Sequence, residues 1–156
     1  MDNCFKRAQE VMHDNFGHVV EMCLASCVEN NVSVRDLNTY YNDGKFYVLS
    51  KSSNSLMHDI AVNPRVGLCH GSHNIYGTAR SLGHPLEAKN AALRKLLKKQ
   101  FSLNYDEYVA EHDTEMRIVE IAVTTAETFT RYHRYEIDFV KGEATRDHTQ
   151  PVYIYR

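Results

Sequence analysis

The sequence predicts a mainly β, α+β fold: a six- to seven-stranded antiparallel sheet that closes into a barrel or a sandwich. Runs of alternating apolar and polar residues recur along the chain and are separated by tight-turn residues such as Asp43-Gly44. Apolar residues at helical spacing are confined to the N-terminus, a short stretch near 55–63 and a longer stretch from Leu86 onward. Hairpin-connected strands tend to close their sheet, because closure removes exposed strand edges.

Length and composition restrict the possible classes of protein. The chain has 156 residues, 43% of them hydrophobic, and a net charge of -2. We therefore expect one domain over 1–156, with an N-terminal helix in 1–16 and a C-terminal extension over 131–156. The near-neutral charge argues against a nucleic-acid partner. The sequence lacks a membrane-spanning apolar run and a signal-peptide core, which predicts a cytoplasmic protein with no membrane partner.

The first half of the chain is predicted to form a helix and an antiparallel meander. The helix covers Asp2 to Asn15, because apolar residues recur there on one face. Strands follow over His18 to Val28, Val32 to Tyr41 and Lys45 to Leu49. Asn30-Asn31 and Asp43-Gly44 supply the turns, since asparagine and glycine tolerate positive φ.

The second half alternates helices and strands. A short helix is expected to end at Asn63-Pro64, because the residue before proline resists the α region. Pro85 is expected to start a longer helix, with Leu86, Leu93, Leu97 and Phe101 on its apolar side. The remaining strands are expected over Arg65–His70, Asn74–Leu82 and Glu115–Thr125, with a further strand or ribbon over Glu127–Val140. We also expect a helical turn over Asn104–Glu111, a polar loop over Gly142–Gln150, and a short extended end over Val152–Tyr155.

A polar segment, Ser50 to Ser55, lies between the third strand and the short helix. A polar loop that opens a helix presents unpaired backbone N–H groups at the positive end of the helix dipole, which suits a phosphate. The alternative is that Ser53 or Asn54 only caps the helix.

The order of several motifs resembles the pyridoxamine 5'-phosphate oxidase-like family, the FMN-binding split β-barrel proteins. The motifs are Val34-Arg35, Tyr41-Asn42-Asp43-Gly44-Lys45-Phe46-Tyr47, Ser50 with Asn54, Asn63-Pro64-Arg65-Val66-Gly67-Leu68-Cys69 and Tyr76-Gly77-Thr78-Ala79. The resemblance implies a split barrel that binds FMN at the interface of a homodimer. It also implies an oxidoreductase that acts on a small molecule, in which the flavin carries the chemistry.

The same resemblance assigns the flavin-phosphate contacts residue by residue. Arg35 matches the family's arginine on the second strand, Ser50 matches the hydroxyl that ends the third strand, and Asn54 and Ser55 match the start of the helix motif. Leu56 stands where the family has a lysine. Lys51 is a candidate substitute for that cation, and Ser52 and Ser53 could supply further donors. The C-terminal motif by which true oxidases engage their vitamin substrate has no counterpart, so we do not expect a true pyridoxamine 5'-phosphate oxidase.

The alternative function is a non-catalytic split-barrel module that binds haem, another ligand or none. His70 and His73 are candidate haem ligands, although surface or turn histidines are the simpler interpretation. The four cysteines lack a Cys-x-x-Cys pair and are expected to be reduced, buried thiols. No metal site and no catalytic acid, base or nucleophile is predicted. Tyr40 or Tyr76 could stack near a flavin ring.

Overall fold

A computed structural model describes residues 3–102, 105 and 111–149. Most of the helical turn expected over Asn104–Glu111, and the extended end expected over Val152–Tyr155, lie outside the described residues. The helices are α1 (Asn3–Phe16), α2 (Ser55–Val62) and α3 (Ala91–Phe101), and a 3-10 turn covers Ala88–Asn90. The strands are β1 (Val20–Val28), β2 (Asn31–Asn42), β3 (Lys45–Lys51), β4 (Arg65–His70), β5 (His73–Gly83), β6 (Met116–Phe129), β7 (His133–Asp138) and β8 (Glu143–His148).

The strands form one antiparallel sheet in the order β3-β2-β1-β4-β5-β6-β7-β8. β3 also pairs with β6 along its whole length, from Lys45 opposite Ala122 to Lys51 opposite Met116. This second pairing closes the first six strands of that order into a barrel, and β7 and β8 extend the sheet beyond it. The predicted mainly β fold with an antiparallel barrel is confirmed.

The apolar residues separate into an interior and an outer layer. α1 and α2 bury Phe5, Val11, Leu56 and Ile60 among the inward-facing residues of the barrel and of β7. α3 packs Leu97 and Phe101 outside the barrel, against the outward faces of β3 and β6. Burial of these side chains removes apolar surface from water, the main stabilising contribution to such a fold.

The polar loop predicted over Gly142–Gln150 is wrong, because Glu143–His148 forms β8. β8 pairs with β7 from Asp138 opposite Glu143 to His133 opposite His148. Most of its side chains are exposed. An edge strand needs backbone partners but no buried face, so its polar sequence carries no strand pattern.

The start predicted for the long helix is also wrong. His84–Glu87 forms a turn in which the Glu87 N–H bonds the His84 carbonyl at 3.1 Å. The Asn90 side-chain amide donates hydrogen bonds of 3.0 Å to the carbonyls of Leu82 and His84. These bonds delay regular helix to Ala91 and leave Leu86 52% exposed. The expectation of buried thiols fails for Cys69, which is exposed, while the other three cysteines are partly buried.

One outward face of the barrel lacks a covering element among the described residues. A row of directly opposed residues crosses it from Val34 to Ala25, Gly67 and Tyr76. Val34 is 66% exposed and Tyr76 is 57% exposed, and Val32 beside them is 68% exposed. This outer face of β2, β1, β4 and β5 is an apolar surface of the kind that marks an interaction site.

Within the described part of the chain, none of the helices has the length and hydropathy needed to cross a membrane. The cytoplasmic location stays a prediction.

Candidate functional site

The barrel has an opening between β2 and β3. Among the described residues, these strands pair only from Tyr40 opposite Tyr47 to Asn42 opposite Lys45. If the same register continued for five more residues, Arg35 would face Ser52. Instead, among the described residues, the part of β2 that precedes Tyr40 pairs only with β1, and the end of β3 after Tyr47 pairs only with β6. We call this gap, with α2 beside it, the barrel opening.

Arg35 lies on the β2 side of the barrel opening and is fixed by two side chains. Its Nη1 atom donates a hydrogen bond of 2.8 Å to the Ser26 hydroxyl. Its Nη2 atom lies 3.5 Å from Oδ2 of Asp59 on α2, and both charged side chains are less than one-fifth exposed. The Ser26 hydroxyl donates to the same Asp59 oxygen at 2.6 Å. The predicted phosphate-binding arginine therefore carries a carboxylate as its partner.

The β3 side of the opening is built from neutral donors. Ser50, 4% exposed, ends the inward-facing row of β3. The Asn54 side chain donates to its hydroxyl at 3.2 Å. Asn54 stands at the N-cap position of α2, yet it forms no capping bond with the described residues through its side chain. The predicted capping alternative is therefore wrong for Asn54, and the first N–H groups of α2 are left to a ligand or water.

Lys51 points to the outside of the barrel, away from Ser50. Its Nζ atom lies 2.9 Å from Oδ2 of Asp113. This hydrogen-bonded pair raises the pKa of Lys51 and lowers the pKa of Asp113. The lysine that could replace the missing cation is thus occupied by an acid from the segment before β6.

Ser52 and Ser53 are held by that same segment. The Ser52 N–H donates to the Glu115 carbonyl at 2.7 Å. The Ser53 hydroxyl donates to a Glu115 carboxylate oxygen at 3.3 Å. Ser55, exposed, begins α2. The structure thus brings together Ser50 to Ser55 at one end of β3 and places Arg35 across the opening from them.

Leu56 stands where the resembling family has a lysine, and it is 3% exposed in the barrel core. A cation at this position would have to leave the core, so the leucine belongs to the packing of α2. The residues that sequence reasoning missed are the three acids, Asp59, Asp113 and Glu115. The inward position of Asp59 could have been predicted from the sequence, because Asp59 lies three residues after Leu56 and next to Ile60 on the helix.

The two candidate haem histidines face each other across the β4–β5 turn, with ring centroids 6.4 Å apart. The expected surface position is wrong for His73, which is 3% exposed and packs edge-on against Phe16 and Phe129. Burial, with a smaller effect from His70, lowers the pKa of His73 from 6.5 to about 4. The Nδ1 atom of His70 lies 3.0 Å from the Glu21 carbonyl oxygen.

The two tyrosines proposed to stack on a flavin have different surroundings. Tyr40 is 4% exposed and packs in the cluster under α3, which leaves no room for a ring of a ligand. Tyr76 lies over Gly67, where a Cβ would be 3.6 Å from the tyrosine ring, and stays 57% exposed. Of the two, only Tyr76 can offer a ring face to a ligand or a second chain.

No family model and no curated protein sequence matches the chain. Solved structures do match it. A putative pyridoxamine 5'-phosphate oxidase from Listeria innocua superposes with a TM-score of 0.56 and 13% identity, over 78% of this chain and 94% of that one. A FAD-binding protein from Mesorhizobium loti gives 0.59 and 17%, over 81% and 92%. The heme storage protein HutZ from Vibrio cholerae gives 0.57 and 11%, over 76% and 88%.

The fold is therefore that of the pyridoxamine 5'-phosphate oxidase-like split-barrel proteins, as the sequence motifs predicted. At these identities the likeness concerns the fold alone. One of these proteins is a FAD-binding protein and another is a heme storage protein.

Proposed function

We propose that the chain binds FMN at the barrel opening and acts as a flavin-dependent oxidoreductase on a small molecule. The observation that carries this proposal is the opening itself. Arg35 lies on the part of β2 that is not paired with β3, and Ser50, Asn54 and the start of α2 lie at the unpaired end of β3. A phosphate needs such a set of converging donors, and a cation with neutral hydroxyl and N–H groups provides it.

The residues present fit a flavin phosphate in number and type. Ser50 and Asn54 can turn their hydroxyl and amide toward it. The first turn of α2, a helix described in full, contains no acidic residue that would repel the phosphate. Arg35 has further N–H groups beyond those that meet Ser26 and Asp59, because a guanidinium carries five donors. Lys51 can contribute only by exchanging Asp113 for the ligand.

A bound flavin would supply hydride or electron transfer, and the protein would supply position and electrostatics. Arg35 would orient the phosphate end, and Ser50 with Asn54 would fix it from the opposite edge. We assign no protein acid or base. The acids described at the site, Asp59, Asp113 and Glu115, are already engaged with Arg35, Lys51 and Ser53.

The proposal includes a homodimer with the flavin at its interface. The row Val34, Ala25, Gly67 and Tyr76 has small residues at its centre and exposed apolar groups at its ends. Such a face can pack closely against a second copy of itself, since small residues allow close approach. It shares β2 with the barrel opening, so a partner on this face would come close to a ligand held there.

The test is titration of the purified full chain with FMN, followed by flavin fluorescence and by the melting temperature. We expect quenching with a single saturating affinity and a rise in melting temperature that grows with FMN concentration, since a ligand that binds only the folded state stabilises it. If saturating FMN causes neither quenching nor a rise in melting temperature, the proposal is wrong.

A haem-binding module is the second candidate, because HutZ shares the fold. His70 is the ligand to test, since His73 is enclosed by Phe16 and Phe129. Hemin added to the protein should give a Soret band that His70→Ala removes. An unchanged band in that variant would exclude His70 as the ligand.

A further inference from the structure

Asp59 occupies one side of the Arg35 guanidinium, the group that we propose binds a ligand phosphate. The carboxylate lies 3.5 Å from the guanidinium, and the Ser26 hydroxyl bridges the two at 2.6 and 2.8 Å. Ser26 is 2% exposed, so this bridge is anchored inside the barrel. Asp59 is therefore held in place, on a helix whose neighbouring residues Leu56 and Ile60 are buried.

We propose that Asp59 sets the ligand specificity of the barrel opening by competing with a phosphate group for Arg35. This inference rests on the proposed function, that FMN binds at the opening. Asp59 lowers the affinity for flavins that carry a phosphate and leaves the affinity for a neutral flavin unchanged. It is a positioning and selecting residue, and it takes no part in electron transfer.

The competition follows from the charges. A flavin phosphate carries close to two negative charges at neutral pH. To reach Arg35 it must either displace the carboxylate from the guanidinium or lie within a few ångströms of it. Like charges at that distance repel strongly where solvent is partly excluded. The Ser26 bond prevents the carboxylate from simply turning away, because its hydroxyl is bound to both partners.

The geometry predicts that the fold of the opening survives the replacement of Asp59 by asparagine. An asparagine has the same shape and retains one oxygen, which can accept the bond from Ser26. The change removes one charge and keeps the contact. This makes Asp59→Asn a clean probe, since Arg35 stays in position while its competing anion disappears.

The experiment measures the affinities of FMN and riboflavin for the wild-type chain and for Asp59→Asn by quenching of flavin fluorescence. Riboflavin is the control ligand, because it has the same ring system without the phosphate. We expect FMN to bind the variant about tenfold more tightly than the wild type, as removal of one partly buried like charge implies. Riboflavin should bind both proteins equally.

Asp14→Asn is the matched control protein. It removes the same charge from an exposed position on α1, so FMN should bind it with wild-type affinity. The melting temperature of each variant shows that the fold is retained. A second variant, Asp59→Ser, removes the charge with a smaller side chain and should show the same gain for FMN.

The outcomes separate the inference from the proposed function. Equal FMN affinity in wild type and Asp59→Asn overturns the inference and leaves FMN binding intact. An equal gain for FMN and riboflavin also overturns it, because the effect would not involve the phosphate. FMN binding by the variant alone supports the inference and overturns FMN binding by the native chain. No FMN binding by either protein removes the proposed function, and the inference with it.

Discussion

The Nδ1 atom of His73 lies 2.9 Å from the Oγ1 atom of Thr128 in the wall of the barrel. Thr128 also accepts a hydrogen bond of 2.8 Å from the Asn15 side chain, at the end of α1. The Thr128 hydroxyl on β6 thus connects the N-terminal helix to His73 on β5. The environment of His73, with two phenylalanine rings against it, favours the neutral imidazole.

This burial makes the stability of the protein depend on pH. The pKa of His73 falls from 6.5 to about 4 on folding, so the unfolded chain takes up a proton at a higher pH than the folded chain. The stabilisation is complete above about pH 6.5 and is lost as the pH falls toward 4. Between pH 7.5 and 5.0, we expect a loss in the free energy of unfolding of about 2 kcal/mol from this group.

Urea denaturation at several pH values measures this effect. His73→Gln cannot titrate, so its stability should vary less over the same interval. His58→Gln, which changes an exposed histidine on α2, should behave as the wild type does. A pH dependence identical in His73→Gln and wild type would contradict the assignment.

Arg35→Ala should weaken FMN binding. The change removes the guanidinium from the barrel opening, and a charged hydrogen bond contributes about 1.5–3 kcal/mol. That loss corresponds to an affinity roughly 10- to 150-fold lower. Fluorescence titration measures it, with Arg7→Ala as the control, because Arg7 lies on α1 and forms an exposed pair with Glu10 there. An unchanged affinity would place the phosphate elsewhere.

Leu56→Lys should destabilise the fold and should not strengthen ligand binding. The position matches a phosphate-binding lysine in the resembling family, but here its side chain is 3% exposed among core residues. Placing an ammonium there costs several kcal/mol, and we expect a loss of at least about 3 kcal/mol in the free energy of unfolding.

Leu56→Met conserves the volume and should cost less than about 1.5 kcal/mol. Both values come from urea midpoints. A stable Leu56→Lys protein with stronger FMN binding would show that α2 can rotate its first turn toward the opening.

Val34→Asp should disrupt the proposed homodimer. Val34 lies at one end of the apolar row on the outer face of β2, β1, β4 and β5. Burying a carboxylate at a self-complementary interface leaves it without a partner in both subunits, so we expect the dimer dissociation constant to rise at least about 100-fold. FMN affinity should fall with it if the flavin lies between the subunits.

Light scattering after size-exclusion chromatography measures the mass directly. Val140→Asp is the matched control, because Val140 is even more exposed, at 78%, and lies in the β7–β8 connection. A monomeric wild type, or a dimer that persists in Val34→Asp, would exclude this face as the interface.

Features that repeat locally were predictable from the sequence. Alternation from Val20 onward marked β1, and Asp43 and Gly44, both with positive φ, supplied the turn into β3. Asn63-Pro64 predicted the end of the short helix, and α2 does end at Val62. Motif order then identified the barrel, although hairpin patterns alone fit a sandwich equally well.

Features that depend on distant partners were not predictable. β8 is polar and acquires its strand geometry only from β7. The long helix starts late because the Asn90 side chain binds two carbonyls that precede it. At the site, Arg35 and Lys51 were identified as cations, but their acidic partners come from α2 and from the segment before β6. No local pattern reports a contact made between separate elements.

The short pairing of β2 with β3 separates two tasks within the chain. The barrel is closed by the β3–β6 pairing. Within the connection from Lys51 to Arg65, α2 is fixed by the core packing of Leu56 and Ile60, whereas the side chains of Ser52 to Ser55 are exposed and lie outside the core. Redesign of that exposed segment is therefore the economical route to a new ligand.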